Sequence, residues 1–196
     1  YLDQQEGRIS EIAVVVVDTA SARCLASVSL SRSGAKDVDL TRRPRSTGSV
    51  IKPLLYAAAF DSGISSPQSI LDDSPAAWPG YIPANYDQEF RGRMTASEAL
   101  AQSRNIPALR ILQRVGVARA AGVCGALGLR TLSQTPQRYG LSLAVGGAEA
   151  APFEIAEAFA SLARGGRHRG LSLCSDTVDQ DPGGSHFAAA LSERAC

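Results

Sequence analysis

The chain has 196 residues, 44% of them hydrophobic, and a formal net charge of +1. That length and apolar content allow a genuine core, most simply in one domain, and the near-neutral charge gives no electrostatic case for nucleic acid. No apolar run approaches the roughly 20 residues of a membrane helix. Neither end carries a signal pattern, so the sequence gives no address and fits equally a domain excised from a longer, anchored protein. Cys24, Cys124, Cys174 and Cys196 have no C-x-x-C spacing, and with His168 and His186 the sole histidines a zinc site is not expected. Four cysteines allow three disulfide pairings, and the plainer expectation is buried small hydrophobes.

The elements follow in an uneven α and β order. EIAVVVVDTA and CLASVSL read as two β-branched strands, and the short polar turn between them makes an antiparallel hairpin. A polar stretch follows to Ser46, Gly48 marks a turn, and VIKPLLYAAAF has helical spacing with Pro53 in the first turn, where a missing N–H does no harm. Residues 61–93 are rich in Pro, Gly, Ser and Asp, studded with Trp78, Tyr81, Tyr86 and Phe90, and read as a long irregular segment lining a cleft. Thr95-Ala-Ser-Glu98 fits a capping box and opens a helix to about Gln102. Ser103-Arg104-Asn105 interrupts it, Pro107 starts another helix through Val115, and a third runs from near Val117 to Leu127 and ends at Gly128. Gly146-Gly147 is a turn, and Pro152 opens a helix through Arg164 that Gly165-Gly166 stops. A polar stretch and the start of a helix near Leu191 close the sequence, without repeats or heptads.

Two Ser-x-x-Lys patterns occur, Ser33 to Lys36 and Ser49 to Lys52, around the two lysines of the chain. Such a pattern is weak by itself. Context separates the pair: Ser33 stands in a polar loop, whereas Ser49 follows a glycine at the mouth of an apolar helix, one turn from Lys52 on the same face. A lysine buried there is held partly neutral by desolvation, as a proton acceptor must be; the plainer alternative is an exposed lysine on a surface helix. Ser103 and Asn105, in a break pinned by two helices, can aim a hydroxyl and an amide into a cleft, or merely cap the helices.

With these motifs in place, RSTGSVIKPLLYAAAFDSG, GYIPANYDQEFRGRMTASEALAQSRNIPALRILQRVG and YGLSLAVGGAEAAPFEIAEAFASLARGG resemble the transpeptidase domain of class A (bifunctional) penicillin-binding proteins, in family order from about Ile12 to Gly166. The resemblance implies a mixed α+β fold of the penicillin-binding and serine β-lactamase type, present incompletely as an N-terminal hairpin plus a helical region. It implies a D,D-transpeptidase of cell wall synthesis that cross-links peptidoglycan stem peptides and that β-lactams inhibit, with no cofactor and no metal. Ser49 would be the nucleophile, Lys52 its base, Ser103 a proton relay to the leaving amine, and Asn105 a binder of the substrate amide. The Ser49 N–H would form half the oxyanion hole.

The family's third motif, Lys-Thr-Gly, is absent from the sequence, as are Arg-Thr-Gly and His-Thr-Gly. The expectation is therefore that residues 1–196 are a partial transpeptidase domain, cut before that strand and lacking a preceding glycosyltransferase domain and membrane anchor. The full protein would be anchored in the inner membrane and work in the periplasm. A two-stranded hairpin alone has little cover and an exposed pairing edge. Two other classes stay open. One is a D,D-carboxypeptidase or β-lactamase-like enzyme; a β-lactamase would need a glutamate to activate the deacylating water, and the sequence shows no loop for it, although Glu149 and Glu154 flank the expected region. The other is a non-catalytic scaffold binding cell-wall partners through the aromatic loop.

Overall fold

In the computed structural model, which describes residues 9–32, 38–133 and 138–173, the β-branched run forms strand β1 (Glu11–Asp18) and pairs antiparallel with β2 (Arg23–Ser31). Val14 faces Val28 in the register, and a bulge falls between Val16 and Val17. One face of the hairpin lies on the last helix, while Val14, Val16, Leu25, Val28 and Leu30 on the other are exposed. Thin cover was expected here. A contact the sequence did not announce is that Ser172 pairs in parallel with the start of β2, accepting from the Cys24 N–H at 2.9 Å and donating to Ala22 O at 3.0 Å.

The helical body is built around α1 (Lys52–Asp61), preceded by a single 3-10 turn over Gly48–Ile51. Leu54, Leu55, Tyr56 and Ala57 to Ala59 are all buried, so this helix is apolar around its circumference and sits inside the body. Helices α2 (Ala96–Ala101), α3 (Asn105–Val115) and α4 (Val117–Leu127) pack against it, and the short α5 (Arg130–Ser133) and α6 (Pro152–Ala163) pack in turn on α4. Their alanine-rich inner faces let backbones approach, and α3 turns Leu109, Ile111, Leu112 and Val115 to the core. The capping box read at Thr95 and Glu98 is present, with the Glu98 N–H donating to Thr95 Oγ1 at 3.2 Å and the Thr95 N–H donating to Glu98 Oε2 at 2.8 Å.

Two small ribbons correct the reading of two strands only. β3 (Arg45–Ser46) pairs with β6 (Glu149–Ala150), and β4 (Ile70–Asp73) with β5 (Gly92–Thr95), both antiparallel. The segment 61–93 thus carries one whole strand and the start of a second, and is irregular elsewhere. Alternation over four residues is too short to stand out in a sequence full of turn formers. Helix α3 also starts at Asn105, ahead of Pro107, because proline is compatible with a first helical turn. Among the cysteines, Cys124 is buried and Cys24 half-buried, both as free thiols; Cys174, Cys196, His186 and the pair Ser33 and Lys36 lie outside the described residues.

Candidate active site

The turn that carries Ser49 is held from behind. Thr47 N–H donates to Ala148 O at 2.9 Å, and Ser46 Oγ to Gly146 O at 2.7 Å. The two chains meet so closely that a Cβ on Gly146 would lie 2.3 Å from Gly48 Cα, and Gly146 adopts φ +92°. Gly146-Gly147 is therefore more than a turn. It is the place where segment 146–148, just ahead of β6, abuts the serine turn, and only glycine fits.

Ser49 itself is exposed, at the front of a helical turn whose first N–H groups have no intrahelical acceptor. One turn on, Lys52 is 1% exposed, which overturns the alternative of a surface lysine. Its ammonium donates to Ser103 O at 2.6 Å, Asn105 Oδ1 at 2.8 Å and Ser103 Oγ at 3.2 Å. All three donors of the group are used. Burial, and secondarily the nearby Arg104 cation, push its pKa from 10.5 down to about 8. Among the described residues Ser49 Oγ makes no hydrogen bond, so Ser49 and Lys52 are neighbours by helical spacing without a direct bond.

The second motif owes its shape to a helix end. Ser103 N–H donates to Leu100 O and Arg104 N–H to Ala99 O, each at 2.9 Å, the two bonds of a Schellman cap. The C′ position of that cap is left-handed and normally glycine; here it is Ser103, at φ +54°. A serine in this conformation costs about 1 kcal/mol, and it delivers both its carbonyl and its hydroxyl to Lys52. Asn105 opens α3, its amide oxygen on Lys52 and its Nδ2 donating to Ala84 O at 2.8 Å. Ser103 and Asn105 do not cap α3; that is done by Asn85, whose Oδ1 accepts from the Asn105 N–H at 2.8 Å.

Sequence reasoning missed the support beneath. Asp73, fully buried, accepts from Arg104 Nε at 2.8 Å, Asn85 Nδ2 at 2.8 Å and the Arg91 N–H at 3.1 Å. Arg104 also donates from Nη1 to Asp87 Oδ2 at 2.8 Å and from Nη2 to Glu89 O. Burial pulls the Arg104 pKa down, but the hydrogen bonds to Asp87 and Asp73 outweigh it and hold it above its ordinary value. The signal in the sequence was an arginine inside the break and an Asn-Tyr-Asp run in a loop, neither of which names its partner.

These parts line a cleft of about 530 Å³ whose walls include Ser49, Asn85, Tyr86, Ser103, Asn105 and Val145. The expectation of a cleft-lining aromatic loop holds for Tyr86, which is wholly exposed at the mouth, whereas Trp78 and Tyr81 line a separate apolar hollow with Leu141. Glu149 sits exposed in β6, and Glu154 is engaged in capping α6 and holding Thr131, so neither lines the cleft.

Comparison with solved structures sets the fold class. Penicillin-binding protein 1A from Haemophilus influenzae matches with a TM-score of 0.71 at 28% identity, covering 83% of this chain and 25% of that one. PonA1 from Mycobacterium tuberculosis in complex with penicillin V matches with a TM-score of 0.76 at 22% identity, covering 86% of this chain and 48% of that one. The sequence pattern described as the penicillin binding protein transpeptidase domain matches residues 12–192, and the chain belongs to that family. Penicillin-binding protein 1C of Escherichia coli strain K12 is 38% identical over 173 residues, which are 85% of this chain and 22% of that protein's length. The resemblance and the mixed α+β fold expected from the sequence are both borne out.

Proposed function

We propose that this transpeptidase domain serves cell wall synthesis by acyl transfer through Ser49, with Lys52 as base. The observation that supports this most is the convergence of Ser103 and Asn105 on a buried Lys52 one turn from an exposed serine. With a pKa near 8, a useful fraction of Lys52 is neutral at neutral pH. The neutral amine has a lone pair that can take the Ser49 proton as Oγ attacks the carbonyl of the penultimate D-Ala. The tetrahedral oxyanion is met by the Ser49 N–H. The C–N bond then breaks, and Ser103 passes a proton from Lys52 to the departing D-Ala amine. The amine of a second stem peptide attacks the acyl carbonyl and frees Ser49. Asn105 holds the donor's amide.

β-Lactams enter as inhibitors on the same reading, since their strained amide acylates Ser49 and leaves no diffusible amine. The substrate is peptidoglycan, which places the work outside the cytoplasm; none of the described helices is long and apolar enough to cross a membrane. Because the 196 residues contain no Lys-Thr-Gly, the chain by itself is expected to acylate very slowly or not at all, and the same chain extended through the family's next strands readily. The test is intact mass of that extended chain after incubation with a penicillin. A stable adduct that maps to Ser49 and vanishes in Ser49→Ala is the expected result. Labelling that survives Ser49→Ala overturns the assignment, prompt loss of the adduct favours a β-lactamase, and no adduct at any time favours a scaffold.

A further inference from the structure

We propose that Arg104, clamped by Asp73 and Asp87, is the positioning residue for Lys52: the clamp fixes the loop that presents Ser103 and Asn105, and the guanidinium charge sets how tightly Lys52 holds its proton. This rests on the acyl-transfer reading for its purpose, and on the geometry alone for its substance. Arg104 stands between the two residues that touch the Lys52 ammonium, so its side chain anchors the peptide units on either side. It is 4% exposed, and its guanidinium makes a fork in three directions: Asp73 at 2.8 Å, Asp87 at 2.8 Å and the Glu89 carbonyl. A lysine ammonium has no such planar fork and could not hold β4 and the aromatic loop in one registration.

The second half concerns charge. Among the described residues the charged group that acts on Lys52 is Arg104 in the break, while Asp73 on β4 and Asp87 in the loop pair with that arginine and Asp73 also acts on Tyr56, one turn along from Lys52. Both carboxylates therefore answer the guanidinium and neither pairs with Lys52. Both carboxylates bond Arg104 and the 85–91 loop, and among the described residues Lys52 is left with neutral oxygens alone. An ammonium held by carbonyl, hydroxyl and amide oxygens beside a guanidinium gives up its proton more readily than one paired with a carboxylate. Diverting the acids to Arg104 adds to burial, the larger cause, in leaving Lys52 able to act as a base.

The chain has two lysines, so labelling lysine Cε with a heavy carbon gives two resonances, and a pH titration followed by NMR reads the Lys52 midpoint directly. Arg104→Gln should raise that midpoint by about half a unit or more, roughly a threefold gain in proton affinity. Asp87→Asn, at a half-exposed carboxylate less prone to unfold the chain, should lower it. Arg104→Lys should keep the midpoint while amide exchange at Ser103 to Asn105 quickens roughly tenfold or more, because charge is kept and the fork is lost. A Lys52 midpoint that stays put in both Arg104→Gln and Asp87→Asn, with native circular dichroism, overturns the proposal. If Arg104→Gln does not fold, Asp87→Asn alone decides. None of these readings needs an acyl adduct, so an inactive chain would sink the acyl-transfer reading and leave this one standing.

Discussion

The Lys52 ammonium and the Asn105 amide oxygen stand 2.8 Å apart although 53 residues separate them in sequence. The bond joins the first residue of α1 to the first residue of α3, so two helix starts meet over one proton. Replacing Asn105 with the isosteric Asp puts a carboxylate against that proton. An opposite charge at this distance raises a lysine pKa by roughly one to three units. Asn105→Asp is therefore expected to lift the Lys52 titration from about 8 back toward its ordinary 10.5. Acylation at neutral pH should fall roughly tenfold or more and recover as pH rises. The pH profile of adduct formation checks it, and an unshifted profile would show that Lys52 is not the base.

Ser103 offers a cleaner separation of fold from chemistry. Ser103→Ala and Ser103→Gly both remove the hydroxyl, yet only alanine keeps the left-handed strain of φ +54°. Ser103→Gly should be more stable than Ser103→Ala by about 1 kcal/mol, with both losing transpeptidation. Urea unfolding of the two variants measures the difference. Equal stabilities would mean that the Schellman position is relaxed for L-residues here.

How far the sequence carries is set by range. The Ser49 to Lys52 spacing was legible because one helical turn fixes it, and the Thr95 box because its bonds are local. The left-handed Ser103 was not, since the sequence offers no glycine to mark the helix end. Asp73 lies 31 residues before Arg104, in a strand of four residues, and nothing local distinguishes it from its neighbour Asp72, which pairs with Arg110 on the surface. The cleft's chemistry is written in short motifs. Its scaffold is written in pairings between distant segments, which only the fold brings together.

Tyr56 is wholly buried, its ring edge-on to Phe60, and its hydroxyl has no hydrogen-bond partner among the described residues. Burial, with Asp73 close by, raises its pKa well above the ordinary 10.0. A phenol whose folded pKa is raised loses its proton first in the unfolded chain, so stability falls as pH climbs past that ordinary value. Tyr56→Phe keeps the ring and drops the unsatisfied group. It should stabilise the chain by about 1 kcal/mol at neutral pH and flatten part of the alkaline loss. Thermal melts at neutral and high pH test both halves, and a destabilised Tyr56→Phe would reveal a partner for the hydroxyl.

The contact between Gly146 and Gly48 carries the last prediction. A methyl group at position 146 would lie 2.3 Å from Gly48 Cα and 2.4 Å from Gly48 N, against backbone that cannot rotate away, and at a φ of +92° that alanine resists. Gly63, also at positive φ, has open space around it, so Gly63→Ala measures the conformational penalty without the clash. Gly146→Ala should cost about 2 kcal/mol more than Gly63→Ala. The chain can relieve the overlap only by separating segment 146–148 from the turn over residues 46–49, which would carry Ser49 off its line with Lys52. Acylation should then fall further than the loss of folded protein explains, and labelling per folded molecule, with folded fraction read by circular dichroism, measures the excess. Labelling that simply tracks the folded fraction would show that the serine turn holds its place without the 146–148 brace.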